Sequence, residues 1–205
     1  MKLARTARKQ LEALIADAKP LSGDFFRSVA FRYFHPDTVI DGEGTRLAGG
    51  RFVPVGVNAV YAGFDEETAL REVTARKKAL GGRAQIDIEE YPRLTYVITV
   101  KTRRSIDLAA NLPPELAAVI RRCLRHGQYS ASQELATIWI GQGIDSVVFP
   151  SATAVGRNVV VYLANAKAGS VTILNREEIL AALRPTRRQS RRNAASSAVV
   201  RKPAC

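Results

Sequence analysis

Cysteine is scarce in this 205-residue chain: Cys123 and Cys205 are the only two, so no disulfide framework is implied. Long apolar runs are also missing. A stretch such as Val159 to Ala164 is far too short to span a bilayer. The first residues, Met1-Lys2-Leu3-Ala4-Arg5, lack the apolar segment of a secretory signal and alternate charge with aliphatics, which leads us to expect a cytoplasmic protein. His35 and His126 have no metal-ligand spacing with the two cysteines, so no metal site is expected. Gly42-Glu43-Gly44 is not followed by the Lys-Ser/Thr of a P-loop.

What the chain does have is 46% hydrophobic residues and an excess of positive charge, formally +12. The length suits one globular domain able to bury a core. The charge is unevenly spread. Arg184 to Cys205 holds seven Lys/Arg and no acid, and residues 1–19 hold five basic against two acidic residues, so the body between is nearly neutral. A stacking platform for nucleic acid needs a basic face interleaved with aromatics, and no such face is expected in the nearly neutral middle of the chain. A nucleic-acid-binding module driven by the basic ends is therefore the lesser alternative.

Read in order, residues 2–18 place Leu3, Leu11, Leu14 and Ile15 at helical spacing, predicting an amphipathic helix. Its apolar residues could face a protein partner or a second copy of the chain. Ser28 to Phe34 alternates and is aromatic-rich, as a strand would be, and it carries Arg32. His35 to Gly56, dense in Pro, Gly and Asp, reads as a long loop with a short strand at Arg51-Phe52-Val53. Ala59 to Ala62 reads as a strand. Asp65 then N-caps a helix running to Leu80 and stopped by Gly81-Gly82. Beyond it come a strand over Tyr96–Val100, helices over Pro114–His126 and Ser132–Ile140, and two unalternating, hence central, strands at Asp145–Phe149 and Asn158–Leu163. Val171–Leu174 and Arg176–Leu183 close as strand and helix. Cys123 and Trp139 read as core residues. This mixture without βαβ alternation predicts an α+β fold. We divide it into an N-terminal helical extension (1–20), one catalytic domain (21–184) and a basic tail (185–205) expected to be disordered.

The chemically informative stretch is Gly42 to Arg76, where Arg51 follows Gly49-Gly50, Tyr61 ends a strand and Glu72 lies two turns into a helix. Taken singly, each has an ordinary reading: a turn arginine, a packed tyrosine, a surface glutamate paired with Arg71 or Arg76. Together, the Gly49-Gly50-Arg51-Phe52 turn, the strand ending at Tyr61 and the helix carrying Glu72 resemble the core of the RES domain. A second match lies downstream, where Asp145 to Ala152 and then Gly156-Arg157-Asn158-Val159-Val160 resemble that family's Pro-Ser-Ala segment and closing strand. Ser151 takes the place of the family's serine. The resemblance covers roughly residues 25–165. Phe52 stands where Trp is common, and the closing strand does not end at Pro.

The resemblance implies an ADP-ribosyltransferase-like fold that binds NAD as substrate rather than as a cofactor. RES proteins are typically toxins neutralised by an Xre-type helix-turn-helix antitoxin, through which alone nucleic acid would be engaged. They cleave the nicotinamide–ribose bond of NAD by hydrolysis or phosphorolysis, and some relatives instead mono-ADP-ribosylate a protein. Glycosidic cleavage passes through an oxocarbenium-like state that a carboxylate stabilises, the task we give Glu72. Nicotinamide departs as a neutral group, so one carboxylate suffices. Arg51 would hold the pyrophosphate, with the glycines before it allowing close backbone approach. Tyr61 would stack on the nicotinamide or support the ribose, Ser151 would bond the ribose or carboxamide, and Arg32 would add a phosphate contact. Glu72→Ala is expected to end NAD consumption without harming the fold, the site being a cleft. The acceptor, whether water, phosphate or protein, is left open by the residues.

Overall fold

A computed structural model of the chain describes residues 5–33, 35–79, 93–124, 129–152 and 156–183, with the backbone alone for Arg32 and 73–79. The helix stop at Gly81-Gly82, Leu80, His126 and the basic tail lie outside the described residues. Residues up to Leu174 form one compact unit, and those from Asn175 belong to a second.

The first unit opens with α1 (Arg5–Ala16), whose Ala7, Leu11 and Ile15 recur every four residues and are buried. This stripe faces the protein's own core, so it is not a free docking face. Gln10 ties the helix to α4 (Pro114–Cys123), its side-chain oxygen accepting from the Leu116 N–H in that helix's uncapped first turn at 3.1 Å. Strand β1 (Lys19–Ala30) follows at once and pairs antiparallel with β3 (Arg93–Asp107) almost throughout. Both are longer than their alternation predicts. Of the strand expected over Ser28–Phe34, the described residues form instead the end of β1 and a single 3-10 turn, Phe31–Tyr33, with Phe34 outside them.

Around the ring, β1 meets β2 (Ala59–Gly63) at Phe26 and Gly63; β2 pairs with β5 (Arg157–Tyr162), β5 with β4 (Ser146–Pro150), and β4 runs parallel to β3. Because β3 also pairs with β1, the pairings close on themselves, and β6 (Val171–Ile173) joins the other edge of β3. The unalternating strands β4 and β5 are internal, as buried residues on both faces require. One face of the sheet supports the main core, in which Phe52, Trp139, Phe149, Val160 and Tyr162 pack beneath α1, α4 and α5 (Ser130–Gly141). Cys123 belongs to it, and burial pushes its thiol up to about 11.

The predicted loop before β2 is more ordered than its composition suggests. Glu43–Ala48 forms a short helix, α2, braced by the Glu43–Arg46 pair and by the Thr45 hydroxyl, which donates to the Gly42 carbonyl and accepts from the Ala59 N–H. Tertiary bonds hold it where propensity would not. Arg51-Phe52-Val53 is not a strand: one isolated bridge joins Gly50 to Val53 within a tight turn. Helix α3 (Glu66–Ala79) is capped as expected, with Asp65 accepting from the Thr68 N–H at 2.7 Å. In the second unit, α6 (Arg176–Leu183) carries Glu177 and Glu178 in its first turn, where the helix dipole favours them.

Candidate active site

Thr68 and Glu72 lie four residues apart on α3 and so share one face of the helix. Thr68 abuts Gly156, where an added Cβ would fall 2.0 Å from the Thr68 hydroxyl oxygen. Gly156 has φ +75° and closes the loop after β4 by accepting from the Ser151 N–H at 3.1 Å. The small, left-handed residue thus lets the helix settle against that loop. One turn further along, the Glu72 carboxylate reaches it.

Three donors converge on Glu72 Oε1: the Ser151 hydroxyl at 2.5 Å, the Ala152 N–H at 2.8 Å and the Asn158 side-chain amide at 2.9 Å. Ser151 and Asn158 are themselves buried. Charge-assisted bonds of this length fix both the position and the rotation of a carboxylate. Among the described residues, none donates to Oε2. Arg71, a potential partner of Glu72, instead pairs with Glu67 at 2.5 Å.

Tyr61 and Asn158 stand on the same sheet face, since Tyr61 opposes Val160 and Gly63 opposes Asn158. Such diagonal neighbours lie about 7–8 Å apart. The Tyr61 ring meets Phe149 edge-on at 6.3 Å between centroids, and its hydroxyl donates to the Arg51 carbonyl. Behind it, Arg27 of β1 donates to the carbonyls of Tyr61 (2.8 Å) and Val39 (2.7 Å). Burial pulls the Arg27 guanidinium down to about 10, against the opposing pull of Asp41, so it remains a cation at neutral pH.

Arg51 sits in the turn Gly49–Val53, which is conformationally unusual. Gly49 has φ +61°, and Phe52, a non-glycine residue, has φ +59°. Arg51 is only 7% exposed, its guanidinium lies 5.8 Å from the centre of the Tyr129 ring, and its buried Nε has no hydrogen-bond partner. A buried cation with an unused donor is costly unless something occupies it, and an anionic ligand group would.

The fold thus joins Glu72 directly to Ser151, and Tyr61 to Arg51 through the backbone. Arg32 lies in the 3-10 turn after β1, not on a strand, and its side chain lies outside the described residues. The glycines before Arg51 sit tightly against the protein itself. A Cβ on Gly50 would meet the Tyr61 hydroxyl at 2.7 Å, and one on Gly49 the Gln133 amide at 3.2 Å, so they make room for protein groups.

Asn158 and Arg27 were not singled out from the sequence. Asn158 could have been found as the polar residue leading into the apolar run Val159–Val161; Arg27 carries no such signal. A cavity lined by Leu112, Ile120, Arg121 and Pro150 adjoins Ser151 through the chain. No described group of three His, Cys, Asp or Glu side chains is placed to hold a metal ion. No described helix is long and apolar enough to cross a membrane.

No curated protein matches the chain. Among solved structures, it shares its fold with a chain of the crystal structure of the M. tuberculosis MbcT–MbcA toxin–antitoxin complex. The TM-score is 0.66 at 20% identity, covering 84% of this chain and 91% of that one. The model of the RES domain matches residues 24–182, a span that includes both halves of the site. The chain belongs to the RES domain family.

Proposed function

We propose that this RES-domain protein is the toxin of a toxin–antitoxin pair and that it consumes NAD by cleaving the nicotinamide–ribose bond. The observation that carries the reading is the Glu72 carboxylate, held through one oxygen by Ser151, Ala152 and Asn158. A carboxylate tethered in this way cannot swing away as charge develops nearby. Its second oxygen, which accepts from no described residue, supplies a fixed negative potential for an oxocarbenium-like ribose. Preorganisation of this kind lowers the barrier because no reorientation is needed at the moment of bond breaking.

Arg51 supports the same reading from the binding side, since its buried, unpartnered Nε suits a diphosphate oxygen. In this scheme Ser151 acts mainly through Glu72, and its contact with the ribose or carboxamide is secondary. The likeness to a chain from a toxin–antitoxin complex supports a protein partner that neutralises the activity, and we assign that partner to the Xre-type antitoxins. Purified protein incubated with NAD should release nicotinamide. The absence of both nicotinamide release and NAD loss over hours at micromolar enzyme would defeat the reading. Co-expression of a cognate antitoxin should abolish the loss of cellular NAD.

A further inference from the structure

Four consecutive carbonyls of the Arg51 turn accept hydrogen bonds from side chains. The Gln133 amide of α5 donates to Gly50 O at 3.1 Å and Val53 O at 3.2 Å. The Tyr61 hydroxyl donates to Arg51 O, and the Tyr162 hydroxyl of β5 to Phe52 O at 2.9 Å. Burial, with Tyr61 nearby, pushes the Tyr162 hydroxyl well above the usual phenolic range, so it stays protonated and remains a donor. Within the turn, the Gly50 and Val53 N–H groups bond each other's carbonyls across the bridge. The donors come from β2, β5 and α5, three elements far apart in sequence.

A turn with left-handed Gly49 and Phe52 would not hold this shape unaided. Donors fixed on rigid elements capture its carbonyls and so impose the conformation that buries the Arg51 guanidinium. The same bonds withdraw four carbonyl dipoles that would otherwise compete for the cation or repel an incoming anion. The core beneath is largely apolar, with Phe52 packed on Trp139 and Phe149.

We propose that Gln133 and Tyr162 are positioning residues for Arg51: by binding the carbonyls of Gly50, Phe52 and Val53 they hold the guanidinium ready for the diphosphate of the substrate. Tyr61 belongs to the same clamp, its hydroxyl being engaged by the Arg51 carbonyl. This inference rests on the NAD reading above and assigns specificity for the diphosphate to the clamp.

The test uses full-length protein with Gln133→Met, which keeps the side-chain length and removes the donor, and Tyr162→Phe, which removes one oxygen. Tyr162→Phe loses one bond to a buried carbonyl and Gln133→Met loses two, so KM for NAD should rise about tenfold in the first and at least about tenfold in the second, while kcat stays within about twofold. Turnover of nicotinamide riboside, which lacks the diphosphate, should stay within about twofold of wild type. In an Arg51→Ala background, neither substitution should raise KM further, because the group they position is gone.

Equal losses on NAD and the riboside, or a full tenfold loss added to Arg51→Ala, would overturn the proposal and leave the clamp a purely structural feature. Should Tyr162→Phe fail to fold, Gln133→Met decides alone. Wild-type protein that consumes no NAD would defeat the functional reading itself, an outcome distinct from wild-type turnover with unaffected variants.

Discussion

Replacing Glu72 by glutamine separates the charge of the site from its architecture. Oε1 accepts three hydrogen bonds, at 2.5, 2.8 and 2.9 Å, and a glutamine amide oxygen can accept the same three. The loop after β4 should therefore stay in place, and Tm should remain within about 2 °C of wild type. What disappears is the negative charge. Removing one preorganised electrostatic group from a transition state costs about 10²–10³ in kcat, or ~2.7–4 kcal/mol. Glu72→Ala does more damage. It leaves the buried Ser151 hydroxyl and Asn158 amide and the Ala152 N–H without their acceptor. A buried unsatisfied donor costs ~1–3 kcal/mol. Glu72 itself is only half-buried, and the serine hydroxyl can rotate to another partner, so we expect a total of ~2 kcal/mol and a Tm lower by about 4–8 °C. The alanine variant should therefore be less stable but still folded. The assay is nicotinamide release with thermal melting on the same samples. Glutamine turnover within threefold of wild type would refute the role of the charge. A glutamine variant that melts as low as the alanine variant would refute the three-bond cradle.

Further outcomes follow from the same geometry. Asn158→Ala removes one of the three bonds to Glu72 and should lower kcat about tenfold with little change in KM; an effect on KM alone would contradict its placement beside the carboxylate. Gly50→Ala would put a methyl 2.7 Å from the Tyr61 hydroxyl, so it should raise KM for NAD at least tenfold by shifting the Arg51 turn. Unchanged kinetics would show that the turn tolerates displacement. In a Cys205→Ser background, the buried Cys123 thiol, with its pKa raised to about 11, should resist alkylation at pH 8 until the protein is unfolded. Rapid labelling of the native protein would show that the core beneath α4 opens readily.

Sequence alone determined the parts of this protein that are written in local chemistry. The apolar runs of β4 and β5 declared themselves central strands, and the Asp65 cap placed the start of α3. The resemblance to the RES domain, carried by two separated motifs in order, was enough to pair the Gly-Gly-Arg turn and the Glu72 helix with the Pro-Ser-Ala segment. Other features depended on contacts that no local window contains. β1 and β3 are long because each is the other's partner, a pairing that joins Lys19 to Ser105. α2 forms because Thr45 finds Ala59 across a turn, against the composition of its own segment. The roles of individual groups also waited for the fold. Only the approach of Thr68 to Gly156 brings Glu72 to Ser151 and Asn158, and only the convergence of β2 and α5 on one turn accounts for the tight packing at the two glycines before Arg51. Hydrogen bonds between residues eighty or more positions apart carry no sequence periodicity, because their geometry is set by strand register and helix packing. The sequence named some of the polar groups, and the tertiary structure decided which of them would meet and which others join them.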